Sequence, residues 1–331
     1  MTLHISEAEV RSLLTMPLAV AAVEDISRKQ SRGEVVVHPR RRFELPNGHF
    51  FHYMAAADLS SGFVAMKQYT YVNGQLRFLV PLYDMNSGDL VAQIEADYMG
   101  QLRTGAASGV ATKYLARRNS RIVAIVGTGG QARTQHEAIA AVRPIEIARV
   151  YGRDAAKRQQ FALEMAQKLG IVVEPAASSA DAVRGADILC TATTAANPVV
   201  TGASLVEAPG IHMNAIGANH SHKRELDDDA VKSADVIVVD SIEQSRQEAG
   251  DLIIAFQGDE ICWTGVKKLP DVVDGKTSGR TSNSEVTLFK SNGIASWDLA
   301  VAMKVYALAK EKGLGRSIPF WSEQLQPLPN Y

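Results

Sequence analysis

The alternation of apolar and polar positions divides the chain into stretches of different rhythm. Residues 6–33 carry helical spacing in two short runs. Ser6 and Thr15 stand where N-caps belong, Pro17 lies near the start of the second run, and Gly33 follows its end. From 34 to 91 the period shortens to that of strands. Segments 35–45, 49–55, 63–72, 76–83 and 90–93 are separated by P-N-G, S-S-G, V-N-G and N-S-G-D turn signals. Strands at that spacing predict an antiparallel sheet, not βαβ units. Residues 95–118 read as one long helix with R-T-G-A-A-S inside it.

From 121 the rhythm becomes β-α-β. Strands are expected at 121–126, 145–151, 171–174, 187–192, 211–216 and 236–240. Helices are expected at 133–142 and at 155–169, where Gly170 closes the second. Alternation of this length predicts an α/β chain with a doubly wound parallel sheet. After a strand at 285–289, residues 295–312 form a last helix with Leu299, Ala302, Met303 and Tyr306 on one face and Gly313 beyond its end. The chain therefore starts in one domain (1–118), inserts a second (119–294) and returns to the first (295–331). No internal repeat or low-complexity linker interrupts this pattern.

The hinge of the pattern is R-I-V-A-I-V-G-T-G-G-Q-A at 121–132. A strand runs into a glycine-rich turn and a helix follows, the layout of a dinucleotide-binding βα unit. Gly127 permits the tight turn, Gly129 lets backbone approach a pyrophosphate, and Ala132 allows close helix–strand packing. The free N–H groups and positive dipole end of the helix favour phosphate. Thr128, Gly130 and Gln131 complete the expected cofactor-binding turn. The competing reading is a glycine turn needed only for packing.

Composition narrows the partners. At 331 residues with 46% hydrophobic content, the chain can bury a sizeable core. A net charge of −1 without a basic stripe argues against nucleic acid and anionic membranes. No apolar run reaches membrane-spanning length, and M-T-L-H-I-S-E-A-E lacks the features of a signal peptide, so a cytoplasmic location is expected. Cys190 and Cys262 are too isolated for a C-x-x-C motif and read as reduced packing residues. His220 and His222 have i, i+2 spacing but no third ligand in pattern, so no metal site is expected. Neither a G-x-S-x-G elbow nor a G-x-x-x-x-G-K-[ST] loop occurs, so nothing suggests the hydrolase or phosphoryl-transfer chemistry they serve.

Several strings add up to more than their parts. They are A-M-K at 65–67, L-R-T-G-A-A-S at 102–108, V-G-T-G-G-Q-A at 126–132 and G-I-H-M-N-A-I-G-A-N…K-R-E-L-D at 210–227. D-S…E-A-G-D at 240–251 and G-R-T-S-N-S-E-V-T-L-F-K-S-N-G-I-A at 279–295 complete the set. In this order and spacing they resemble the ornithine cyclodeaminase/μ-crystallin family over nearly the whole chain. The resemblance implies a Rossmann-type doubly wound sheet inserted into an α/β dimerisation and substrate domain, and a homodimer. It also implies a nicotinamide-dependent enzyme acting on a small-molecule amino acid or its imine. Ornithine cyclodeaminases, an alanine dehydrogenase branch and reductases of cyclic ketimines all belong to the family.

Individual residues sharpen this. Lys67 ends the apolar run G-F-V-A-M, where an unpartnered ammonium is costly. It is suited to hold a substrate carboxylate or to polarise a C=N or C=O group, and the resemblance places it in the active site. Arg103 can grip an α-carboxylate with two parallel bonds, the role the resemblance gives it. The resemblance also asks for one arginine before the P-N-G turn. Arg40 and Arg41 both qualify by spacing, and strand alternation puts Arg41 on the face opposite Arg40 and Arg42. The rest of the triplet reads as solvated surface.

Asn219 departs from the aspartate that serves cyclodeaminases and alanine dehydrogenases as proton acceptor. An amide cannot take that proton near neutral pH. Oxidative deamination should suffer, whereas reduction of a preformed imine needs only positioning at 219. In V-Y-G-R-D, Gly152 occupies the place of the acid that binds NAD ribose. Arg153 follows, suited to the 2′-phosphate of NADP. NADP(H) is therefore favoured, with NAD(H) as the alternative. Asp154 is positioned to cap the next helix. Thr191 and Thr193 sit at a strand's carboxyl end, where they can contact the cofactor, and Ser291 and Gly293 can approach the nicotinamide from the other side. His220 adjoins Asn219 and is a weak candidate proton donor. His49 and His52 belong to the antiparallel sheet. Glu248 and Asp251 read as capping or pairing groups, and Asp298 as a helix-dipole partner. Together these residues indicate an NAD(P)H-dependent reductase of an α-imino acid such as Δ1-pyrroline-2-carboxylate, giving L-proline. An ornithine cyclodeaminase, an alanine-dehydrogenase-like enzyme and a ligand-binding protein without turnover are the rivals.

Overall fold

A computed structural model describes residues 1–320. The chain opens on β1 (Thr2–Ile5), then α1 (Glu7–Leu13) and α2 (Met16–Ser31). Glu9 closes the start of α1 by accepting the Ser6 N–H at 2.8 Å and the Ser6 hydroxyl at 2.7 Å. The expected Thr15 side-chain cap on α2 is not formed. β2 (Val35–Glu44), β3 (Phe50–Asp58), β4 (Phe63–Val72), β5 (Gln75–Asp84) and β6 (Leu90–Glu95) follow as an antiparallel run, and then α3 (Asp97–Leu115).

The second sheet uses β7 (Ile122–Val126), β8 (Ile147–Tyr151), β9 (Val172–Pro175), β10 (Ile188–Thr191) and β11 (His212–Ala215). β12 (Val236–Val239), β13 (Lys267–Lys268) and β14 (Thr287–Lys290) complete it. Its order is β13-β12-β14-β11-β10-β7-β8-β9, all pairs parallel. Val123 to Val126 of β7 and all of β10 and β11 are buried, as expected of strands covered on both faces. The helix after β7 is α4 (Gly130–Val142), and the one after β8 is α5 (Ala155–Leu169), which Asp154 caps by accepting the Lys157 N–H at 3.0 Å. The chain ends its described course with the helix Ala295–Lys312 and β15 (Arg316–Ile318). β15 pairs with β1, giving the first sheet the order β15-β1-β6-β5-β4-β3-β2. We propose that the two sheets mark two units, 119–294 inserted between 1–118 and 295–331; of these, 321–331 lie outside the described residues.

The sequence reading missed β1, β13 and β15, the short helices that follow α5, and the true start of α4 inside the glycine turn. Cys190 is buried as expected, but Cys262 is exposed. No helix among the described residues is long and apolar enough to cross a membrane.

α3 is the axis of the molecule. Its R-T-G-A-A-S-G segment is buried apart from Thr104. A Cβ on Gly105 would lie 2.4 Å from the Thr134 carbonyl oxygen of α4, and one on Gly109 would lie 3.3 Å from the Ala138 Cβ. Small residues here let α3 and α4 touch backbone to backbone. The last helix packs on the inner face of β2 to β5 and against α2 and α3.

One buried ion pair fixes the end of β3. Asp58 is fully buried and accepts from Lys29 Nζ at 2.8 Å and from the Ser60 hydroxyl at 2.8 Å. Burial raises its pKa, but Lys29, Ser60 and Ser61 overcome this and lower it to about 2. Its stabilisation is therefore present above the unfolded carboxylate value and fades as pH falls towards 2. Asp58→Asn should cost about 2 kcal/mol at neutral pH, and the gap from wild type in chemical denaturation should narrow in acid. A gap independent of pH would contradict this.

Candidate active site

A cleft of about 950 Å³ lies between the inner face of β2 to β5 and the carboxyl edge of the parallel sheet. The glycine turn forms one end. Gly127 has φ 124°, and a Cβ there would sit 2.3 Å from the Ala192 carbonyl oxygen, so only glycine fits. A Cβ on Gly152 would meet Thr128 Cγ2 at 2.8 Å. Gly127, Thr128 and Ala132 thus shape the turn without lining the cleft, whereas Gly129, Gly130 and Gln131 line it. No side chain caps α4, and Gly129 has nothing within 4 Å of an added Cβ. Gln131 Oε1 is buried without a partner. A helix start with open N–H groups beside an unobstructed glycine suits a pyrophosphate.

The other end is cationic. Lys67 of β4 and Arg103 of α3 both line the cleft and are almost wholly buried. Their shared partner is Asp298, whose Oδ1 accepts from Lys67 Nζ at 3.2 Å and from Arg103 Nε at 3.0 Å. Arg103 Nη1 is left without a partner, and a Cβ on Gly293 would stand 2.8 Å from it. A buried guanidinium with an unused donor facing a cleft is an anion receptor. Burial and the nearby Arg103 charge lower the Lys67 pKa to about 8, against the pull of Asp298.

Arg40 and Arg41 part company. Arg40 lines the cleft and is committed to Glu248 at 2.6 Å and the Asn292 carbonyl at 2.9 Å. Arg41 is exposed, pairs across the sheet with Tyr53 and does not reach the cleft, which corrects its candidacy. Arg42, read as surface, lines the cleft and holds both Glu248 and the Asn219 carbonyl. Alternation on β2 brings Arg40 and Arg42 to one side and turns Arg41 away.

Asn219 lies on a loop pinned at three successive residues. The Gly217 N–H donates to Glu225 Oε2 at 2.7 Å, Lys290 Nζ donates to the Ala218 carbonyl, and Arg42 donates to the Asn219 carbonyl at 3.0 Å. Glu225 also takes the Thr191 hydroxyl at 2.8 Å and the Thr193 N–H at 2.7 Å. Thr191 is therefore a buried anchor for Glu225 and does not line the cleft, contrary to expectation, whereas Thr193 does. Across the cleft, Asp240 accepts the N–H groups of Asn292 and Gly293, both at 2.7 Å, and holds Ser291 and Gly293 in the wall. His52 and His220 also line it. Burial first, then the neighbouring arginine charges, lower both to about 4, so His220 is no imidazolium acid near neutrality. Arg153 stands outside the cleft at the end of β8, exposed and with no hydrogen-bond or ion-pair partner. Among the described residues no cluster of His, Cys, Asp or Glu could hold a metal.

Sequence reasoning passed over Asp298, Arg42, Glu225 and Asp240. The one available signal was electrostatic: a lysine ending an apolar strand needs a buried anion, and no acid near it in sequence supplies one.

The ornithine cyclodeaminase/mu-crystallin family model matches residues 2–313. The chain belongs to that family. A Delta(1)-pyrroline-2-carboxylate reductase of Bacillus cereus is 38% identical over 73% of this chain and 74% of its own length. An alanine dehydrogenase of Archaeoglobus fulgidus is 34% identical over 97% of this chain and 99% of its own. The solved Delta(1)-pyrroline-2-carboxylate reductase of Thermococcus litoralis, in complex with NADH and L-proline, is 36% identical. It superimposes with a TM-score of 0.91, over 96% of this chain and all of that one. In this family member the open helix start and the cationic wall share one cleft, so the residues fit a dinucleotide at one end and a carboxylate at the other.

Gly129 separates folding from binding. Its φ of −83° suits any residue and its surroundings are empty. Gly129→Ala should keep the wild-type melting temperature yet weaken dinucleotide affinity about tenfold or more, about 1.4 kcal/mol, in a fluorescence titration. Unchanged affinity would remove the nucleotide from this turn.

Proposed function

We propose that the chain is an NAD(P)H-dependent reductase of an α-imino acid, taking Δ1-pyrroline-2-carboxylate to L-proline. The observation that carries this is the unused Arg103 donor beside Lys67, in the same cleft as the open start of α4. A bound reduced nicotinamide supplies the hydride. Arg103 binds the α-carboxylate, Lys67 faces the imine, and Asn219 orients without taking a proton. Arg40 backs this wall through Glu248. The absence of a carboxylate at 219 favours reduction of a preformed imine over the deamination that opens a cyclodeaminase cycle. The 38% and 36% identities to pyrroline-2-carboxylate reductases support the same direction.

For the cofactor we favour NADP(H). Arg153 is the first exposed cation after β8, is unpaired, and can take a 2′-phosphate. The Thermococcus relative holds NADH, so the preference rests on Arg153 and is open to test.

We also infer a homodimer. The face of β2 and β3 turned away from the cleft carries Phe43, Phe51 and Tyr53 in contact, with Phe43 55% exposed, an apolar surface suited to a second copy. Light scattering should give twice the 35.7 kDa of the chain; a monomer mass would contradict it.

Two variants test the assignment together. Arg103→Ala should raise KM and lower kcat/KM about 100-fold or more, the loss of two charged hydrogen bonds. Arg153→Ala should lower kcat/KM for NADPH about tenfold and leave NADH unchanged. Wild-type kinetics in the first variant would sink the site, and equal effects on both cofactors in the second would sink the NADP(H) preference.

A further inference from the structure

With asparagine at 219 and neutral histidines at 52 and 220, the cleft needs another source for the proton that an imine nitrogen gains on reduction. We propose that Lys67 is that acid and that Asp298, behind it, is the positioning residue that keeps it charged and aimed. The proposal rests on the imine-reductase reading and adds the proton path to it.

The geometry is specific. Lys67 and Arg103 share one oxygen of Asp298, at 3.2 and 3.0 Å, so the ammonium and the guanidinium are fixed side by side. In an α-imino acid the nitrogen and the carboxylate hang on the same carbon. A carboxylate on Arg103 therefore brings the nitrogen within reach of the neighbouring Nζ. A Cβ on Gly100 would lie 3.1 Å from Nζ, so that glycine leaves the ammonium room. The groups facing Lys67 are Arg103 on α3, Asp298 on the last helix, Arg40 on β2, His52 on β3 and Tyr69 on its own strand. β5 contributes only the Phe78 ring, 5.2 Å away. Of these, Asp298 is the only carboxylate, and it does not line the cleft.

The step balances. The imine carbon gains the hydride that the reduced nicotinamide class supplies, and the C=N π pair moves to nitrogen. Nitrogen takes a proton from Lys67 Nζ, and water from the cleft restores it. Activity should then fall as pH rises through the Lys67 value of about 8. Asp298 holds that value up, so removing its charge moves the fall to lower pH.

The test uses the full-length protein. Lys67→Arg keeps the charge but cannot release a proton. Its kcat should drop about 10²–10⁴-fold with KM within a few-fold of wild type. The loss should shrink in mild acid, where the imine arrives already protonated. Retained kcat would overturn the role of Lys67. For Asp298→Asn, the alkaline limb of kcat/KM should shift to lower pH, and Asp298→Glu should restore it. Independently of turnover, arylation of Lys67 by fluorodinitrobenzene, followed by mass spectrometry across pH, should show the same shift. An unshifted labelling profile would overturn the role of Asp298. Wild type that reduces no imine while the labelling shift persists would fault the reductase reading and leave the Lys67–Asp298 coupling standing.

Discussion

The structure depends on how closely α3 and α4 can approach. A single methyl on Gly105 would stand 2.4 Å from the Thr134 carbonyl oxygen. That contact fixes the distance between Arg103, two residues earlier on α3, and the open start of α4. In the proposed function, one helix carries the anion receptor for the substrate and the other the cradle for the cofactor. Substituting any residue with a Cβ would push the helices apart or force one to bend. Because catalysis is sensitive to misplacement of about 1 Å, the proposed site makes the close packing of the G-A-A-S-G run a requirement of the chemistry as well as of the fold.

A second constraint is the cost of burying charge. The cleft and the layer beneath it hold Lys67, Arg103, Asp298, Lys290, Asp251, Glu225 and Asp240, each nearly or wholly excluded from solvent. Such groups persist only when each meets a partner or several hydrogen bonds. Asp298 serves two cations. Glu225 accepts from Thr191, Thr193 and Gly217, and Asp251 meets Lys290 at 2.9 Å. Among the side chains that line the cleft, Arg103 Nη1, Arg40 Nε, Gln131 Oε1 and Asn292 Oδ1 are buried without a hydrogen-bond partner, where ligand groups can complete them.

Most local rules carried by a single residue were legible in the sequence, the unformed Thr15 cap being an exception. Gly170 and Gly313, with φ 67° and 65°, end their helices at the expected positions, and 63–72 and 155–169 match strand and helix to the residue. β1 and β15 escaped because four and three residues carry no period; their strand character comes from pairing with each other and, for β1, with β6. The site divides the same way. Glycine turn, Lys67 and Arg103 could be named from motif and chemistry. Asp298 could not, since its bond to Arg103 spans 195 residues and its local setting at a helix start offers a sufficient bland explanation. Thr191 failed for the complementary reason: the end of a strand is the right place for a cofactor contact, but a buried glutamate claimed its hydroxyl.

The central claim is that this cleft reduces a cyclic imine using an external reductant. Its most direct test is the initial rate of NADPH oxidation by the pure protein with Δ1-pyrroline-2-carboxylate, with NADH run in parallel and L-proline measured as product. The account predicts stoichiometric proline, faster turnover with NADPH, and no ammonia from ornithine in the absence of reductant. No oxidation of either cofactor, together with ammonia release from ornithine, would contradict it and return the family's deaminase chemistry to this site.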